Sequence, residues 1–560
     1  MLASLSRGTW FLFGLVVLIA WFAALDTRKL QHPDEGRYAE IAREMALSDD
    51  WVTPRLNDLK YFEKPPFQYW MGAAAFNAFG VSEWTARVPP ALAGLLAVIA
   101  VGFTTARLAG AEAGAYAALV LAGTVWHAGL AHYLTLDAVL SFWLAIALCA
   151  FLLAQRPALP PSAQRNWMLL AYAAAAGATL TKGLVAVVIP GAALAFYSLV
   201  TRDIGPWRRL HALPGVALYL ALAVPWFALV SMQNPEFARF FFIHEHFERF
   251  VTESHQRTGG WYYFIRWFVI GILPWLLVWA WTLPRSWRAA PVATNGFAWE
   301  RFCIVWAAFV FAFFSLSGSK LPSYILPMFP ALALVLGFEL TRLSPRALAW
   351  LALPLAVCAP LLLVAAMLGY DRAIAALATD ATPASIYAGF APWFVAAVAV
   401  FAAGGIAALA CFRNGTPAAK TSGIAALSLS MLIGLQLVFV GNDAFSRVRS
   451  AYQILEDAQR ANGQKLDPAF PVYQVRSYDQ TLPFYLGRPT PLVDYRDEMG
   501  PGLDAEPRKG FNEALFLEAW NAAPQAYALM PAATAVELAA KQVPMRELAR
   551  DPRRVFVARR

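Results

Sequence analysis

Long apolar segments recur along most of the chain, and short polar or basic stretches separate them. A helix needs about 20 residues to cross the hydrocarbon core of a bilayer. Segments of about that length or slightly shorter are found at about 9–25, 85–106, 112–127, 133–154, 167–181, 183–200, 211–231, 261–283, 299–316, 321–340, 346–369, 390–412 and 421–441. The pattern predicts a mainly α, polytopic membrane protein with about 13 transmembrane helices.

The composition excludes an ordinary soluble domain. The chain is 59% hydrophobic and 14% charged, whereas soluble domains have about 45–50% apolar and about 25% charged residues. The cysteines Cys149, Cys303, Cys358 and Cys411 all lie in apolar runs, so they are expected to be small buried hydrophobes. We expect the first apolar segment to be an uncleaved span, because no convincing small-x-small cleavage site follows it.

Basic residues predict the orientation of the spans. If the N-terminus is cytoplasmic, nearly every short inner loop is basic, as the positive-inside rule requires. The residues concerned are Arg7, Arg107, Arg156, Arg165, Arg202, Arg208, Arg209, Arg285, Arg288, Arg342, Arg346, Arg413 and Lys420. A first loop (about 26–84), a loop at 232–260 and the tail after residue 441 are then predicted outside. The net charge of +9 fits basic cytoplasmic loops.

The pattern predicts two domains, a transmembrane domain over 1–441 and a small α/β domain over 442–560. In the tail, RVRSAYQILEDAQRANGQ, FNEALFLEAWNAA and AATAVELAAKQ are typical of helices. The segments PVYQVRSY, TPLVDY, QAYALM and RVFVARR are typical of short strands. The tail contains no recognisable nucleotide-binding or metal motif, and no nucleic acid partner is expected.

The first loop begins with QHPDEGRYAEIAREM. Asp34 is placed as a helix N-cap, and Tyr38, Ile41 and Met45 follow at helical spacing. An amphipathic helix lying in the membrane interface is therefore predicted. Asp34 and Arg37, three residues apart, are expected to face the same small volume.

The same loop ends with YFEKPPFQYW. Pro65 favours an extended Lys64, and Pro66 is suited to the first turn of another helix. Lys64 is then expected beside a helix N-terminus, whose free N–H groups favour an anion. Lys64, the helix start and nearby Arg37 together predict a phosphate-binding site.

Further ionisable residues lie at the predicted outer ends of other spans. They are Asp137 in LTLDAVLSFWL, Lys182 in TKG, Lys320 and Tyr324 in SGSKLPSYILP, and His244, Glu245, His246, Glu248 and Arg249 in FFIHEHFERF. Ionisable groups at membrane depth are costly and usually functional. Solvated-loop charges, structural ion pairs and interfacial anchors are the alternatives. Glu63 and His244 are candidate ligands for a divalent metal ion, although hydrogen-bonded histidines explain the HEH spacing as well.

Five stretches, HPDEGRYAEIAREM, YFEKPPFQYW, TLDAVLSFW, LTKGLVAVVIP and SGSKLPSYILPMFP, resemble in order and spacing the motifs of the bacterial 4-amino-4-deoxy-L-arabinose lipid A transferases. These belong to the GT-C superfamily with the protein O-mannosyltransferases. The resemblance covers roughly residues 1–440. It implies transfer of an aminosugar from undecaprenyl phosphate to a lipid A phosphate, on the periplasmic side of the inner membrane. Lower lipid A charge would then give resistance to cationic antimicrobial peptides such as polymyxin.

The resemblance also implies site residues. Asp34, Glu63 and Asp137 are the candidate catalytic residues, and Lys64, Arg249 and Tyr324 are candidate ligands of the donor phosphate. The residue pattern itself adds Arg37 to these ligands. Glu35, Lys182 and Lys320 are possible additions. A hydroxyl acceptor would need a general base, with Asp34 the candidate. A lipid A phosphate is already an anion, so Asp34 is free to orient the donor, pair with a cation or contact the sugar amine. No cofactor is required, and a divalent metal ion stays optional.

Two other classes of function fit part of the pattern. A protein O-mannosyltransferase, or another polyprenyl-phosphate sugar transferase, would use the same donor chemistry. A lipid-linked sugar flippase would instead be expected to carry internal repeats, broken helices and polar groups near the midplane. Here the spans are apolar at their centres and the ionisable residues gather at one face, which favours an enzyme.

Overall fold

The computed structural model describes residues 7–242, 259–288 and 295–560. The chain folds into two compact units. The first, here called the helical unit, comprises residues up to 24, 87–367 and 395–437. The second, here called the sheet unit, comprises residues 25–86, 368–394 and 438–560. The predicted boundary at residue 441 stays a prediction, and the sheet unit includes the first loop as well as the tail.

Apolar helices dominate the chain, as the hydropathy pattern predicts. Their bounds are Arg7–Phe22, Glu83–Ala109, Ala111–Ala122, Val125–Ala131, Leu136–Ala154, Pro161–Lys182, Val185–Thr201, Ala212–Gln233, Tyr263–Gly271, Leu276–Arg288, Trp299–Leu316, Met328–Arg342, Pro345–Leu377, Ala384–Asn414 and Pro417–Asn442. Each predicted span falls on one of these helices or on two consecutive ones.

Within the described residues, seven helices are long and apolar enough to cross a membrane. Two pairs of consecutive helices are long and apolar enough only when each pair is taken together, and each pair is bent. The bend is 63° between Ala111–Ala122 and Val125–Ala131 and 104° between Tyr263–Gly271 and Leu276–Arg288. The remaining predicted spans lie on helices that are shorter or less apolar. The multi-pass fold is therefore confirmed, and the count of thirteen spans stays a prediction.

Small residues allow close helix packing in the helical unit. A Cβ added to Gly337 would lie 2.6 Å from the backbone nitrogen of Ala117, so the helices Met328–Arg342 and Ala111–Ala122 approach nearly backbone to backbone. Close approach of this kind is how membrane helices gain van der Waals contact without a hydrophobic driving force between them.

The sheet unit is built on a five-stranded mixed sheet. Its strands follow one another in the order Leu492–Val493, Val472–Val475, Tyr527–Pro531, Arg554–Arg559 and Met545–Arg550. Val472–Val475 is parallel to both of its neighbours, and the other pairs are antiparallel. Tyr527 and Leu529 enter one apolar core, whereas Ala528 and Met530 enter another. Both faces of the sheet are thus buried, and the prediction of a small α/β domain in the tail is confirmed.

The remaining helices of the sheet unit are short. They are Asp34–Ser48, Phe67–Phe79, Ser446–Arg449, Tyr452–Asn462, Thr481–Leu486, Gly500–Ala505, Glu513–Ala522 and Ala532–Ala540. The strand Met545–Arg550 was not predicted, because MRELAR is charged and only partly buried at the edge of the sheet.

Two predictions about burial were wrong. The helix Asp34–Ser48 is buried on its polar side as well as its apolar side, with Glu40 and Arg43 among its buried residues. It does not expose a polar face, because Arg43 pairs with Glu40 and donates to the carbonyl of Gly487 in the tail. Cys358 is exposed, since it lies on the long helix Pro345–Leu377, which has few buried residues.

Candidate active site

Two groups of ionisable side chains stand out, one in each unit. The group in the sheet unit, here called the Arg37 centre, consists of Asp34, Arg37, Glu63, Lys64 and Glu498. The group in the helical unit, here called the Asp137 centre, consists of Asp137, Lys182, Ser323 and Tyr324. Each is described from its own unit.

The Arg37 centre begins at the start of the helix Asp34–Ser48. Pro33 is the N-cap and makes no side-chain cap hydrogen bond, so the prediction of Asp34 as N-cap was off by one residue. The Asp34 carboxylate instead accepts a hydrogen bond from Arg37 Nη1 at 2.8 Å. Its side chain is 38% exposed, which leaves it accessible to a ligand. The prediction that Asp34 and Arg37 share one small volume is confirmed.

Arg37 is nearly buried and lies between two carboxylates. Its Nη2 lies 2.5 Å from Glu498 Oε2, and both side chains are 10% exposed. Burial alone would lower the pKa of Arg37, but Tyr61, Glu498 and Asp34 outweigh it and raise the pKa above its ordinary value. The guanidinium is therefore permanently charged and held in place. Arg37 was predicted to bind the donor phosphate, but its partners here are two carboxylates. Its role as a phosphate ligand stays a prediction.

Glu498 is the residue of this centre that sequence reasoning missed. It follows a short strand of the tail and accepts a hydrogen bond from the Gln480 amide. Burial raises the pKa of the Glu498 carboxyl, Arg37 opposes that shift, and the negative charge of Glu63 adds to it. Glu498 thus places a third carboxylate beside Asp34 and Glu63, and the centre has more acids than bases.

Glu63 and Lys64 come from the EKPP stretch. The helix after it begins at Phe67 with Pro66 as N-cap, close to the predicted start. Lys64 Nζ donates to the Glu63 carbonyl oxygen at 2.7 Å and lies 3.9 Å from Glu63 Oε2. Both side chains are less than one fifth exposed. The lysine therefore stands three residues before a helix N-terminus, as the sequence predicts, and its role as a phosphate ligand stays a prediction.

Buried tyrosines surround the Arg37 centre. Burial raises the pKa of Tyr38, Tyr61 and Tyr478, and nearby carboxylates raise it further. The rings of Tyr38 and Tyr69 lie 6.2 Å apart. Because their pKa values are raised, these buried phenols stay neutral beside the charged groups of the centre. Tyr38, Tyr61 and Tyr69 lie in the EGRYAE and YFEKPPFQYW stretches, whereas Tyr478 lies in the tail, where no motif indicated it.

The Asp137 centre is assembled from three segments of the helical unit. Asp137 lies in the first turn of the helix Leu136–Ala154 and is 8% exposed. Lys182 is the last residue of the helix Pro161–Lys182 and pairs with Asp137 Oδ1. Ser323 donates to Asp137 Oδ2 at 2.8 Å. Lys182 Nζ also lies over the Tyr324 ring, 4.5 Å from its centroid.

The sequence predicted three members of the Asp137 centre, and the structure brings those three together. Ser323 was missed, although it lies next to Tyr324 in LPSYILP and faces the same carboxylate. Asp137 has both a cation and a hydroxyl donor, so its charge is balanced within the centre.

The remaining candidates lie elsewhere. Glu35 is buried and pairs with Arg28 at 2.9 Å, which is a structural setting. Lys320 is 7% exposed and donates to the Ser317 carbonyl. His244, Glu245, His246, Glu248 and Arg249 lie outside the described residues. Within those that are described, no group of three or more His, Cys, Asp or Glu side chains is arranged to hold a metal ion. The metal ligands Glu63 and His244 therefore stay a prediction.

Two family models match the chain. That for dolichyl-phosphate-mannose-protein mannosyltransferases matches residues 8–289, and that for the aminoarabinose transferase C-terminal domain matches residues 458–559. The second match covers most of the tail, where the sequence offered no motif.

Several similar proteins carry the name undecaprenyl phosphate-alpha-4-amino-4-deoxy-L-arabinose arabinosyl transferase. The chain is 31% identical to that of Edwardsiella ictaluri over 338 residues, 60% of each chain. It is 34% identical to that of Pseudomonas aeruginosa strain UCBPP-PA14 over 342 residues, again 60% of each. These matches span less than two thirds of the relatives' length.

A solved structure matches nearly the whole chain. The crystal structure of ArnT from Cupriavidus metallidurans bound to undecaprenyl phosphate is 39% identical, with a TM-score of 0.91, over 99% of this chain and 98% of that one. Its apo state matches with a TM-score of 0.89 and 38% identity, over 98% of both chains. Full-length structural agreement at this identity, together with the tail-domain match, shows that the chain belongs to the aminoarabinose transferase family.

Proposed function

We propose that the protein is a glycosyltransferase that moves 4-amino-4-deoxy-L-arabinose from undecaprenyl phosphate to a phosphate group of lipid A. The observation that carries the proposal is the end-to-end similarity to an ArnT structure that holds undecaprenyl phosphate. The names of the relatives supply the sugar. Addition of a cationic sugar would lower the negative charge of lipid A and so confer resistance to cationic antimicrobial peptides such as polymyxin.

The charge of the Arg37 centre supports an aminosugar. Asp34, Glu63 and Glu498 outnumber Arg37 and Lys64, and Arg37 is already paired with two of the acids. A surplus of carboxylates favours a cationic ligand, and the sugar amine is a cation near neutral pH. A neutral hexose such as mannose could donate hydrogen bonds to these carboxylates but could not form an ion pair with them.

The chemistry needs no strong general base. The leaving group is a lipid phosphate, so the main requirement is to stabilise the charge that develops on it. Lys64, beside a helix N-terminus, is suited to that task. The acceptor phosphate is already an anion, and Asp34 is hydrogen-bonded to Arg37 at 2.8 Å. We assign Asp34 to orienting the donor or binding its amine rather than to proton abstraction.

We further propose that the protein lies in the bacterial inner membrane with the first loop and the tail in the periplasm. The distribution of Lys and Arg supports this orientation. Nucleotide sugars are absent outside the cytoplasm, so a lipid-linked donor fits this placement. Labelling of single cysteines introduced in the first loop and the tail with a membrane-impermeant reagent tests it. A tail that labels only after the membrane is opened would contradict the proposal.

The decisive experiment compares lipid A from cells with and without the gene by mass spectrometry. We expect the aminoarabinose-modified species to disappear with the gene and to return with the wild-type copy. Asp34→Asn and Lys64→Ala should fail to restore it. Asp49→Asn and Lys465→Ala, at exposed positions of the same unit, are matched controls and should restore it. Unchanged lipid A in the absence of the gene would exclude the proposed acceptor.

Protein O-mannosylation is the second candidate, because the mannosyltransferase family model matches residues 8–289. The tail distinguishes the two candidates, since its match is to the aminoarabinose transferase C-terminal domain. Glycopeptide analysis of membrane and periplasmic proteins from the same pair of strains tests this alternative. Loss of protein-linked hexose with unchanged lipid A would favour it.

A further inference from the structure

A charged cavity lies in the helical unit, away from the Asp137 centre. Its volume is about 600 Å³, and its lining includes Trp281, Arg285, Arg288, Glu339, Arg342 and Ser344. Arg285 and Arg288 are in the last turn of the helix Leu276–Arg288, and Arg342 is in the last turn of Met328–Arg342. Two helix ends therefore direct their arginines into one concave site.

The cavity and Tyr324 lie at opposite ends of the helix Met328–Arg342. The helix Met328–Arg342 begins four residues after Tyr324 and has 15 residues. At about 1.5 Å of rise per residue, its two ends are about 22 Å apart. The cavity is at its last turn, so a ligand there is separate from the Asp137 centre.

Contacts with neighbouring groups hold Arg285 and Arg342 in place. Arg285 Nη1 donates to the Trp281 carbonyl at 2.9 Å, and its guanidinium lies 4.3 Å from the centroid of the Trp281 ring. Arg342 Nη1 donates to Glu339 at 3.0 Å. Arg301 Nε donates to the Trp287 carbonyl at 2.9 Å and so fixes the end of the helix Leu276–Arg288. Two of the three arginines are thus preorganised for a ligand.

The charge of the lining favours an anion. Three arginines face one carboxylate, Glu339, which leaves a surplus of two positive charges. Behind the lining, buried Glu300 is close enough to Glu339, Arg342 and Arg301 to interact with all three. With Glu300 and Arg301 included, four arginines face two carboxylates, and the surplus of two positive charges remains. Arginine is common at helix C-termini and in basic loops. Those roles explain each residue alone, but not the meeting of two helix ends around one cavity.

The surroundings of the cavity indicate a lipid rather than a soluble anion. Trp281 and Trp350 are 49% and 74% exposed, as expected of tryptophans at a membrane interface. From there the helices that bear them continue as exposed apolar surface, with Leu277 on one and Val357 and Leu361 on the other. A headgroup in the cavity would therefore leave its acyl chains against apolar side chains.

We propose that this cavity binds the phosphate headgroup of an anionic phospholipid such as phosphatidylglycerol. Arginine forks match phosphate oxygens in a bidentate manner, and basic pockets between membrane helices recognise such headgroups. The lipid is a resident of the membrane unit and is distinct from the donor and the acceptor of the proposed transfer. The arginines also belong to loops predicted on the cytoplasmic side, opposite the first loop and the tail.

Native mass spectrometry of the full-length protein in detergent micelles tests the proposal. Phosphatidylglycerol is titrated against phosphatidylcholine of the same acyl chains, in the absence and presence of inorganic phosphate. We expect selective retention of phosphatidylglycerol that inorganic phosphate does not displace at equal concentration. In Arg285→Gln/Arg288→Gln, that retention should fall by about tenfold or more, given the contribution of each basic residue at a membrane surface.

The matched control is Arg208→Gln/Arg413→Gln, which removes two exposed arginines of other predicted inner loops and should leave retention unchanged. The single variant Arg288→Gln gives an intermediate loss and serves if the double variant fails to fold. Equal retention of both phospholipids, equal binding by Arg288→Gln and wild type, or displacement by inorganic phosphate would each overturn the proposal, the last in favour of a soluble anion.

Discussion

The Asp137 centre and the Arg37 centre compensate their buried charges in different ways. In the first, one carboxylate meets one ammonium group and a serine hydroxyl. In the second, one guanidinium contacts two carboxylates, and a third lies close enough to raise the pKa of Glu498. The Asp137 centre is balanced and the Arg37 centre is acid-rich. In the Asp137 centre both charges can be removed together without leaving an unpaired charge. In the Arg37 centre the compensation of two carboxylates depends on one buried arginine.

The largest expected effect is that of Arg37→Gln. The substitution leaves Asp34 and Glu498 without their buried cation, and removal of one partner from a buried ion pair costs about 3–5 kcal/mol. We expect the thermal midpoint of the purified protein to fall by several degrees and sugar transfer to be lost. Differential scanning fluorimetry in detergent and the lipid A assay measure the two effects.

The control for Arg37→Gln is Arg496→Gln. Arg496 also pairs with an acid in the sheet unit, Asp504, but both side chains are more than 60% exposed. Exposed pairs contribute about 0–1 kcal/mol, so the thermal midpoint should barely change. Equal destabilisation by the two substitutions would show that burial does not make the ion pairs of Arg37 more important for stability than an exposed pair.

The second effect tests the balance of the Asp137 centre. Lys182→Met removes the ammonium group and leaves Asp137 with the Ser323 hydroxyl, which should destabilise the protein by about 3 kcal/mol. The double variant Lys182→Met/Asp137→Asn removes both charges and should regain most of that loss. A double-mutant cycle of thermal midpoints measures the coupling. No recovery in the double variant would refute the picture of a self-contained pair.

The two centres also differ in how well the sequence predicted them. Asp137 and Lys182 are ionisable residues within or beside apolar runs, so they stand out against their surroundings. Glu498 lies in a polar tail where a glutamate is ordinary, and its partner Arg37 is far away in the chain. Burial of the helix Asp34–Ser48 was missed for the same reason. A Cβ added to Gly36 would lie 2.7 Å from the backbone of Gln480 and Thr481, a contact that hydropathy along the chain does not encode.

A similar limit applies to the membrane helices. Apolar runs predicted where the helices are, because burial in lipid requires the pattern itself. They did not predict the 104° bend between Tyr263–Gly271 and Leu276–Arg288, since a run of apolar residues has the same hydropathy whether it is straight or bent. The number of spans therefore follows less directly from the sequence than their positions.

A smaller effect is expected from Ser323→Ala. The substitution removes the hydroxyl that donates to Asp137 Oδ2 at 2.8 Å but leaves Lys182 in place. A hydrogen bond to a charged group contributes about 1.5–3 kcal/mol, and the loss should lie at the lower end because the remaining ammonium group can still balance the carboxylate. Ser319→Ala in the same loop is the control. If Ser323→Ala destabilises as much as Lys182→Met, the hydroxyl contributes as much as the lysine, and the ranking of the two contacts is wrong.

The smallest effect is a change in pH dependence at the Arg37 centre. The folded pKa of Glu498 lies above its ordinary value because the carboxyl is buried. The folded state then binds this proton more tightly than the unfolded chain, so Glu498 adds stability as the pH falls and removes it as the pH rises through the raised pKa.

Asp479 has a lowered pKa, since Arg554 outweighs its burial, and its contribution changes only below its ordinary value. At pH values above the ordinary glutamate pKa of about 4.3, Glu498→Gln should therefore remove a contribution that lowers the thermal midpoint as the pH rises. Glu44, whose pKa burial also raises, contributes in the same direction, and His32, whose pKa burial lowers, contributes in the opposite one. An unchanged slope in Glu498→Gln would mean that Glu498 is as well solvated as an ordinary surface acid, and the acid-rich description of the Arg37 centre would fail.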